Sequence, residues 1–510
     1  MISRLIGALL LTACGALGET ESTTPSAPVS PTTDPVPTLT VSPKEPPTHT
    51  LRPPTVTALP TPVTYGALKH PILLYGVPVA ESGVLGYRFR DAEGQQGELS
   101  GLTTTWPWMP LTEALSPDGQ WLAYVSSHDG PPEDTFLALY NLMDGATTVQ
   151  WPLIAETSSQ DLLRVSESIA EQYRPEIQPV ALDLRTFEQC VAGFSWSPNG
   201  RYLAYISQTP GPSPDVFIYD TETATSRRVT NDLRIACSVE WSPDGAWLLY
   251  STIVPSNENP FVEFHRAPAE AQGVTEADTL LEGYWWSGLE WVGPHSYAVV
   301  GTSDGGPFHD LQILDLQAGT VTNVWPEPFE RAAVDPMTGL IVVSTVEPDT
   351  NTGNGLFLIS PGQATQRLAE GPFWSLWNWG ESDPAFVAND GDRLMSVSAS
   401  GLVSPLFDLP NQWVYVTNVE IAPDRTAMAV FNEGESGFYI VGAQGTELLS
   451  LDELRPTAVF WRPDASGLAY IEGNKLMSLE TGSGGRSVIF DCANETSRCI
   501  LDGRNVTWVR

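Results

Sequence analysis

The sequence predicts an all-β protein that folds as a single β-propeller of four-stranded antiparallel blades. Two observations favour this fold. From residue 65 onward, short runs of Val, Ile, Leu, Tyr and Phe are broken by Gly, Pro, Asp and Asn, which is the pattern of strands and turns. A short motif also recurs through this region at intervals of about 40–50 residues, the length of one four-stranded blade.

The recurring motif is a turn of the form Ser-Pro-Asp-Gly that is followed by an apolar strand. It is strong in residues 114–124, 195–205 and 240–250, and weaker in residues 291–294, 334–339, 379–382, 421–424 and 461–464. In such a turn the Pro ring fixes φ, the Asp side chain forms a hydrogen bond with the nearby backbone, and Gly adopts a positive φ. Eight copies predict eight blades, and seven or nine blades are the alternatives.

The two ends of this region predict how the ring closes. Residues 505–510 have the pattern of an innermost strand without partners next to it in sequence. Residues 72–77, 84–90 and 97–102 have the pattern of the other three strands of one blade. Joining the two ends closes the ring and hides its sheet edges. Because this blade adds one to the count, we expect one of the weak motif copies to be spurious.

The Trp-Ser-Pro-Asp-Gly form of the motif, seen at residues 241–245, resembles the signature of TolB-like propellers, a branch of the WD-repeat superfamily. The resemblance covers residues 65–510 and is specific in three or four repeats. It implies the propeller fold and, by family analogy alone, a role in binding other proteins.

A long gap separates the first two strong motifs and predicts an insertion at residues 151–190. Within it, residues 161–173 have helical periodicity, since Leu162, Val165, Ile169 and Tyr173 fall on one face of a helix. We therefore expect an amphipathic helix inserted between two blades.

The N-terminus predicts export and anchoring. Residues 1–13 combine Arg4 with a short apolar run that is too short to span a bilayer, as in a signal peptide. Residues 11–14 read Leu-Thr-Ala-Cys, which resembles a bacterial lipobox and implies lipidation of Cys14. An ordinary secretory signal is the alternative. The rest of residues 14–64 is rich in Pro and Thr, cannot build a core and predicts a disordered tether.

This leader implies a location and one partner. The protein is expected at the outer face of the bacterial cytoplasmic membrane or in the cell envelope, held to the lipid membrane through acylated Cys14. The four remaining cysteines fit such an oxidising compartment. We predict the disulfides Cys190–Cys237 and Cys492–Cys499, and four buried free thiols are the alternative.

The net charge argues against nucleic-acid binding, and the motifs indicate no catalytic or metal site. The chain has 61 acidic and 25 basic residues, a net charge of −36, so no nucleic-acid partner is expected, because phosphates need a positive surface. We identify no P-loop, no His-Glu-x-x-His and no calcium loop, and we predict no catalytic residue, metal or cofactor. The acidic run 389–392 is expected to be a hairpin turn.

Aromatic residues fall into two sets relative to the motif. Trp196, Trp241, Trp291, Trp379 and Trp461 lie just before its Pro or the equivalent position and are expected between blades. The second set lies further upstream, where the chain crosses to the next blade, and its candidate ligand-binding members are Trp106, Trp108, Trp285, Trp286, Phe373, Trp374, Trp413 and Tyr415. If these rings point outward, they form a collar around the pore that suits sugar stacking or peptide anchoring. Packing between blades is the alternative.

Two functions are consistent with this sequence. The first is a membrane-anchored extracytoplasmic binding or scaffold protein, not an enzyme, that presents a propeller face to a protein or glycan ligand. The alternative is a surface hydrolase or lyase that acts on polysaccharide or peptide with paired carboxylates in the pore.

Overall fold

Each strong Ser-Pro-Asp-Gly motif forms the turn between the first two strands of a sheet. The Ser116 hydroxyl donates a hydrogen bond to the Asp118 carboxylate at 2.5 Å and accepts one from the backbone N of Trp121 at 2.9 Å. Ser242 makes the same pair of contacts, and Ser197 makes them with the amide oxygen of Asn199 in place of the carboxylate. The motif therefore fixes the direction of the second strand, because its side chains close the turn together with the backbone.

The computed structural model describes residues 70–509 with gaps. The gaps are residues 80–83, 105–109, 127–134, 155–166, 169–170, 172–189, 191–192, 209–212, 232, 255–260, 271–273, 275, 285, 302–309, 348–351, 381–384, 411–417, 433–435 and 495–500.

Nine antiparallel sheets follow one another along the chain, and each is a blade. The first three are built from β1 (Ile72–Val79), β2 (Val84–Arg90) and β3 (Gln96–Thr104); from β4 (Trp121–Ser126), β5 (Phe136–Asn141) and β6 (Ala146–Pro152), preceded by the short helix α1 (Leu111–Ala114); and from β7 (Phe194–Trp196), β8 (Tyr202–Ser207), β9 (Asp215–Asp220) and β10 (Thr225–Arg228). The next three are built from β11 (Ile235–Trp241), β12 (Trp247–Val254), β13 (Phe261–Pro268) and β14 (Asp278–Tyr284); from β15 (Ser287–Trp291), β16 (Ser296–Gly301), β17 (Asp310–Asp315) and β18 (Thr320–Trp325); and from β19 (Arg331–Val334), β20 (Ile341–Glu347), β21 (Thr352–Ile359) and β22 (Gln366–Glu370). The last three are built from β23 (Ser375–Asn378), β24 (Phe386–Asn389), β25 (Arg393–Val397) and β26 (Val403–Asp408); from β27 (Asn418–Ile421), β28 (Ala427–Phe431), β29 (Phe438–Gly442) and β30 (Glu447–Ser450); and from β31 (Pro456–Trp461), β32 (Gly467–Glu472), β33 (Lys475–Glu480) and β34 (Arg486–Asp491), after which β35 (Val506–Val509) ends the described chain.

The ring closes as the sequence predicts. β35 pairs with β1, with Ile72 opposite Val509 and Tyr75 opposite Val506. The first blade therefore has the order β3-β2-β1-β35, and its innermost strand comes from the other end of the chain.

The blade number of eight is wrong, and the structure has nine blades. All eight motif copies begin a blade, so none of them is spurious. The first blade, which closes the ring, contains no copy of the motif. Its innermost strand, β35, and its second strand, β1, lie at opposite ends of the described chain, so no turn joins them. In the second blade, the described residues give three strands, and a single bridge between Leu115 and Leu122 stands in place of the innermost strand.

The two faces of the ring differ. The turn face carries the connections within the first and last strand pairs of each blade, such as residues 242–246 and 398–402. The connector face carries the connections between the second and third strands, such as residues 390–392 and 473–474, and the crossings to the next blade. The insertion joins β6 to β7 on the connector face. Glu167, Ser168 and Glu171 in it are helical, and the other residues of the predicted helix lie outside the described chain.

The motif tryptophans lie between blades, as predicted, with at most 9% of their surface exposed. Four indole nitrogens donate to a carbonyl on the innermost side of the preceding blade: Trp196 to Ala114 (3.0 Å), Trp241 to Ser195 (3.1 Å), Trp461 to Glu420 (2.7 Å) and Trp508 to Phe460 (3.0 Å). Trp379 donates instead to the carbonyl of Arg425 in the following blade, at 3.1 Å. These bonds join neighbouring blades at their innermost strands and satisfy the indole donors.

Candidate functional site

The predicted ligand-binding aromatics lie between the strands that border the crossings of the connector face. Trp106 and Trp108 follow β3, Trp285 and Trp286 separate β14 from β15, Phe373 and Trp374 separate β22 from β23, and Trp413 and Tyr415 separate β26 from β27. Five of the eight, namely Trp106, Trp108, Trp285, Trp413 and Tyr415, lie outside the described residues. Their ligand-binding role stays a prediction.

Two of the described aromatics point inward. Trp286 is 7% exposed and Phe373 is 5% exposed, so both rings pack between strands instead of facing a ligand. Glycines make room for the indole of Trp286, because a Cβ atom on Gly283 or Gly301 would lie 2.3 or 2.4 Å from it. Packing between blades, the alternative interpretation of the collar, therefore describes these two side chains.

Of the three candidate aromatics that the structure describes, Trp374 is partly exposed, and it lies on the connector face. Its backbone N donates to the carbonyl of Asn389 at 2.9 Å. Asn389 begins the turn 389–392, whose acidic run was expected to form a hairpin, and its side-chain oxygen accepts from the backbone N of Gly391 at 2.7 Å. The turn thus holds the crossing that carries Trp374.

A buried ion pair lies at the connector end of the third blade. Asp215 is 1% exposed, pairs with the Arg228 guanidinium and accepts a hydrogen bond from the Thr230 hydroxyl at 2.7 Å. Thr230 also accepts from the backbone N of Val216 at 3.0 Å. These bonds fix the crossing from the third blade to the fourth.

A second buried polar cluster lies at the connector end of the fourth blade. Glu263 is 2% exposed and accepts from Arg234 at 2.9 Å and from the Thr252 hydroxyl at 3.2 Å. The fully buried His265 ring lies between the hydroxyls of Thr252 (2.8 Å) and Thr279 (3.0 Å). Because the carboxylate of Glu263 and the ring of His265 are buried and hydrogen-bonded, the cluster orders the connector end of this blade, whereas the Thr279 side chain at its edge is exposed.

The predicted disulfide Cys190–Cys237 is present. It joins the end of the insertion to β11, beside Gly193, where a Cβ atom would lie 3.3 Å from the carbonyl oxygen of Cys190. Cys492 is 7% exposed, but Cys499 lies outside the described residues. The second disulfide therefore stays a prediction.

One carboxyl on an innermost strand has an unusual environment. Glu240, on the innermost strand of the fourth blade, is 7% exposed, and its Oε1 accepts from the Tyr297 hydroxyl at 3.0 Å. Its Oε2 is buried and has no hydrogen-bond partner in the described part of the chain. Burial raises the pKa of Glu240 to about 7; the Tyr297 hydrogen bond opposes this rise, and the charges of Glu290 and Glu113 add to it. Glu240 is thus enclosed between blades.

The sequence contains one serine motif that was not among the predicted sites. Residues 301–305 read Gly-Thr-Ser-Asp-Gly, the spacing of a hydrolase nucleophile elbow. The elbow requires a strand followed by a helix, whereas these residues lead from β16 towards another strand, β17. Residues 302–309 lie outside the described chain, so the structure does not describe the geometry of Ser303.

No group of three or more His, Cys, Asp or Glu side chains in the described residues could hold a metal ion. No helix in that part of the chain is long and apolar enough to cross a membrane.

Comparisons with known proteins agree with the fold. No protein-family model matches the chain. The uncharacterized peptidase YuxL of Bacillus subtilis is 34% identical over 64 residues, which are 12% of this chain and 10% of that protein. A structure of a eukaryotic initiation factor has a TM-score of 0.51 at 13% identity and covers 84% of this chain and 98% of its own. TolB from Acinetobacter baumannii has a TM-score of 0.27 at 13% identity, with 76% of this chain and 80% of its own covered. At 13% identity the likeness to the initiation factor shows the fold alone.

Proposed function

We propose that this chain is a membrane-anchored, extracytoplasmic binding or scaffold protein that presents its connector face to a protein or glycan ligand. The asymmetry of the two faces carries the proposal. The turn face carries turns, several of them closed by their own side chains, whereas the connector face carries the crossings to the next blade and the inserted segment. Ligand contacts of proteins concentrate on such connections, held in place by a rigid scaffold.

Three further features support the proposal. The Asp215 and Glu263 clusters hold the connector ends of the third and fourth blades rigid. The Cys190–Cys237 disulfide fits an oxidising compartment outside the cytoplasm. The Leu-Thr-Ala-Cys sequence at residues 11–14 fits anchoring of the chain through Cys14.

Cross-linking in intact cells tests the binding role. A photo-cross-linking residue replaces Trp374 on the connector face, and a matched control replaces Leu402, which is 68% exposed on the turn face. We expect one dominant partner, identified by mass spectrometry, from position 374 and not from position 402. The same set of neighbours at both positions would count against the proposal.

The anchor is tested separately with Cys14→Ser. We expect this variant to lose labelling by a fatty-acid analogue and to leave the membrane fraction. Labelling that persists in Cys14→Ser would contradict lipidation at this residue.

A surface hydrolase or lyase is the second candidate, because Glu240 and Glu290 lie on neighbouring innermost strands and the charge of Glu290 adds to the raised pKa of Glu240. Glu290 is the partly exposed member of this pair. If the protein cleaves polysaccharide or peptide, Glu290→Gln should abolish the cleavage, whereas Glu447→Gln, on an outer strand, should not. Full activity of Glu290→Gln would end the enzyme hypothesis for this pair.

A further inference from the structure

A threonine hydroxyl at the outer edge of the fourth blade is bonded to the buried histidine described above. Thr279, on the outermost strand β14, is exposed, and its Oγ1 lies 3.0 Å from Nδ1 of His265. His265 is fully buried on β13, directly opposite Thr279 in the register of the two strands. A solvent-accessible hydroxyl therefore lies within hydrogen-bond distance of a ring nitrogen that can act as a general base.

The hydrogen bonds behind His265 determine which ring nitrogen carries the proton. The Thr252 hydroxyl lies 2.8 Å from Nε2 of His265 and donates its single proton to Oε2 of Glu263 at 3.2 Å. Arg234 donates to the same oxygen at 2.9 Å, in an ion pair that requires the carboxylate form of Glu263. Since the Thr252 oxygen has no second proton, Nε2 must donate to it. In a neutral imidazole the other nitrogen, Nδ1, is then the acceptor, and the Thr279 hydroxyl donates to it.

The order of these groups is the order that activates a hydroxyl in acyl-transfer sites: nucleophile, imidazole and carboxylate. All of them lie on one face of the sheet, because Thr252 is opposite Glu263 and His265 lies two residues further along the same strand. Oε2 of Glu263 lies 3.5 Å from Nε2 of the ring, so it stabilises the imidazolium that forms when the ring takes up a proton. Arg234 shares this carboxylate and weakens the stabilisation, and the Thr252 hydroxyl holds the ring in its orientation.

The strand β14 gives the reacting group access and hydrogen-bond donors. Leu280 has no opposite residue on β13, so β14 bulges directly after Thr279, and bulges re-aim the side chains beside them. β14 is also the outermost strand of its blade, and its outer edge pairs with no strand in the described sheet. Backbone N–H groups on such an edge are available to stabilise the negative oxygen of a tetrahedral intermediate.

We propose that Thr279 is a nucleophilic hydroxyl that accepts the acyl group of a reactive carboxylic ester. The proton of Thr279 passes to Nδ1 of His265 while Oγ1 forms a bond to the ester carbonyl carbon. The bond between that carbon and the alcohol oxygen then breaks, and the departing alcohol takes the proton from Nδ1. The products are an acyl-threonine and the free alcohol, and attack of water by the same route releases the acid and regenerates Thr279. This site is separate from the connector-face ligand and from the Glu290 hypothesis.

Acetylation of the whole chain by p-nitrophenyl acetate tests the proposal. Absorbance follows the release of p-nitrophenolate, and peptide mass spectrometry after acid quenching identifies the acetylated residue. Thr322 is the internal control, because it is exposed on β18, the outermost strand of the fifth blade, opposite Ile313 instead of a histidine. We expect Thr279 to be acetylated about a hundredfold faster than Thr322, since general-base catalysis contributes roughly 10²–10⁴-fold. If water releases the acetyl group quickly, we expect sustained p-nitrophenolate release that Thr279→Val abolishes and Thr322→Val does not.

Variants behind the hydroxyl test the relay. His265→Gln should lower the acetylation rate of Thr279 to that of Thr322. Thr252 is a positioning residue: Thr252→Ser keeps the hydroxyl and should keep the reaction, whereas Thr252→Val keeps the shape and should slow it by about tenfold or more.

Thermal unfolding shows which variants fold. If His265→Gln does not fold, the two Thr252 variants and Thr279→Val decide the question. The proposal is overturned if Thr279 reacts no faster than Thr322 in the unmodified chain and Thr279→Val releases p-nitrophenolate like that chain. It is also overturned if Thr252→Val reacts like Thr252→Ser.

Discussion

Replacing Glu240 with glutamine should make the protein more stable above neutral pH. In the folded protein the pKa of this carboxyl is raised by burial from 4.5 to about 7. Its stabilising contribution is therefore complete below pH 4.5 and is lost as the pH rises to 7, because the unfolded chain releases the proton first. At 1.36 kcal/mol per pKa unit, the loss amounts to about 3 kcal/mol.

Glutamine has nearly the same shape and cannot ionise, and its amide oxygen can still accept the hydrogen bond from Tyr297. Its amide nitrogen would take the place of Oε2, which has no described partner, so burial of that group costs about 1 kcal/mol and reduces the gain. We therefore expect Glu240→Gln to be about 2 kcal/mol more stable than the unmodified chain at pH 8, and no more stable at pH 4.5.

Urea denaturation between pH 4.5 and pH 8, with the disulfide intact, measures this difference. Glu447→Gln is the control, because it removes one exposed negative charge and leaves the Glu240 environment unchanged. Parallel pH profiles for Glu240→Gln and the unmodified chain would refute the reasoning, as would a variant that is less stable at pH 8.

Three further predictions concern the ring. Cys237→Ser should cost about 4 kcal/mol, since the disulfide closes a loop between residues 47 apart, and reductant should lower the melting temperature of the unmodified chain more than that of the variant. Trp241→Phe should cost about 1 kcal/mol in urea denaturation, because the carbonyl of Ser195 loses its indole donor; stability equal to that of the unmodified chain would show that the bond contributes nothing. Deleting residues 506–510 should expose the edge of β1 and cause aggregation in size-exclusion chromatography, whereas removing Arg510 alone should not; a monomeric truncated chain would contradict closure by β35.

The sequence was most informative where a local motif determines local structure. The Ser-Pro-Asp-Gly turns, the position of the motif tryptophans and the pairing of the two chain ends all follow from residues close together in sequence or from an unpaired strand pattern. The number of blades did not follow from the motif count, because the motif marks a turn between two strands. The closing blade has an equivalent tryptophan, Trp508, but no such turn, since its next strand lies at Ile72.

Which carboxyl of the innermost strands is buried could not be predicted in the same way. Glu240, Glu290 and Glu420 all lie just before the motif aromatic or its equivalent, yet of these three only Glu240 is buried. Its burial depends on Tyr297 of the next blade, whose hydroxyl occupies the space above Gly288, where a Cβ atom would lie 2.3 Å away. The glycines around Trp286 are a similar signal: small residues on neighbouring strands indicate a large side chain that turns inward.

The pairing of the chain ends also determines how the protein responds to force. A pull on the chain that precedes Ile72 is transmitted directly to β1. That strand is bonded on one side to β2, from Leu73 to Val79, and on the other side to β35, from Ile72 to Tyr75. Because the pull acts along the strand, it loads both sets of hydrogen bonds in shear, and they must fail together before the blade opens. The strand nearest the N-terminal segment is thus held from both sides against mechanical extraction.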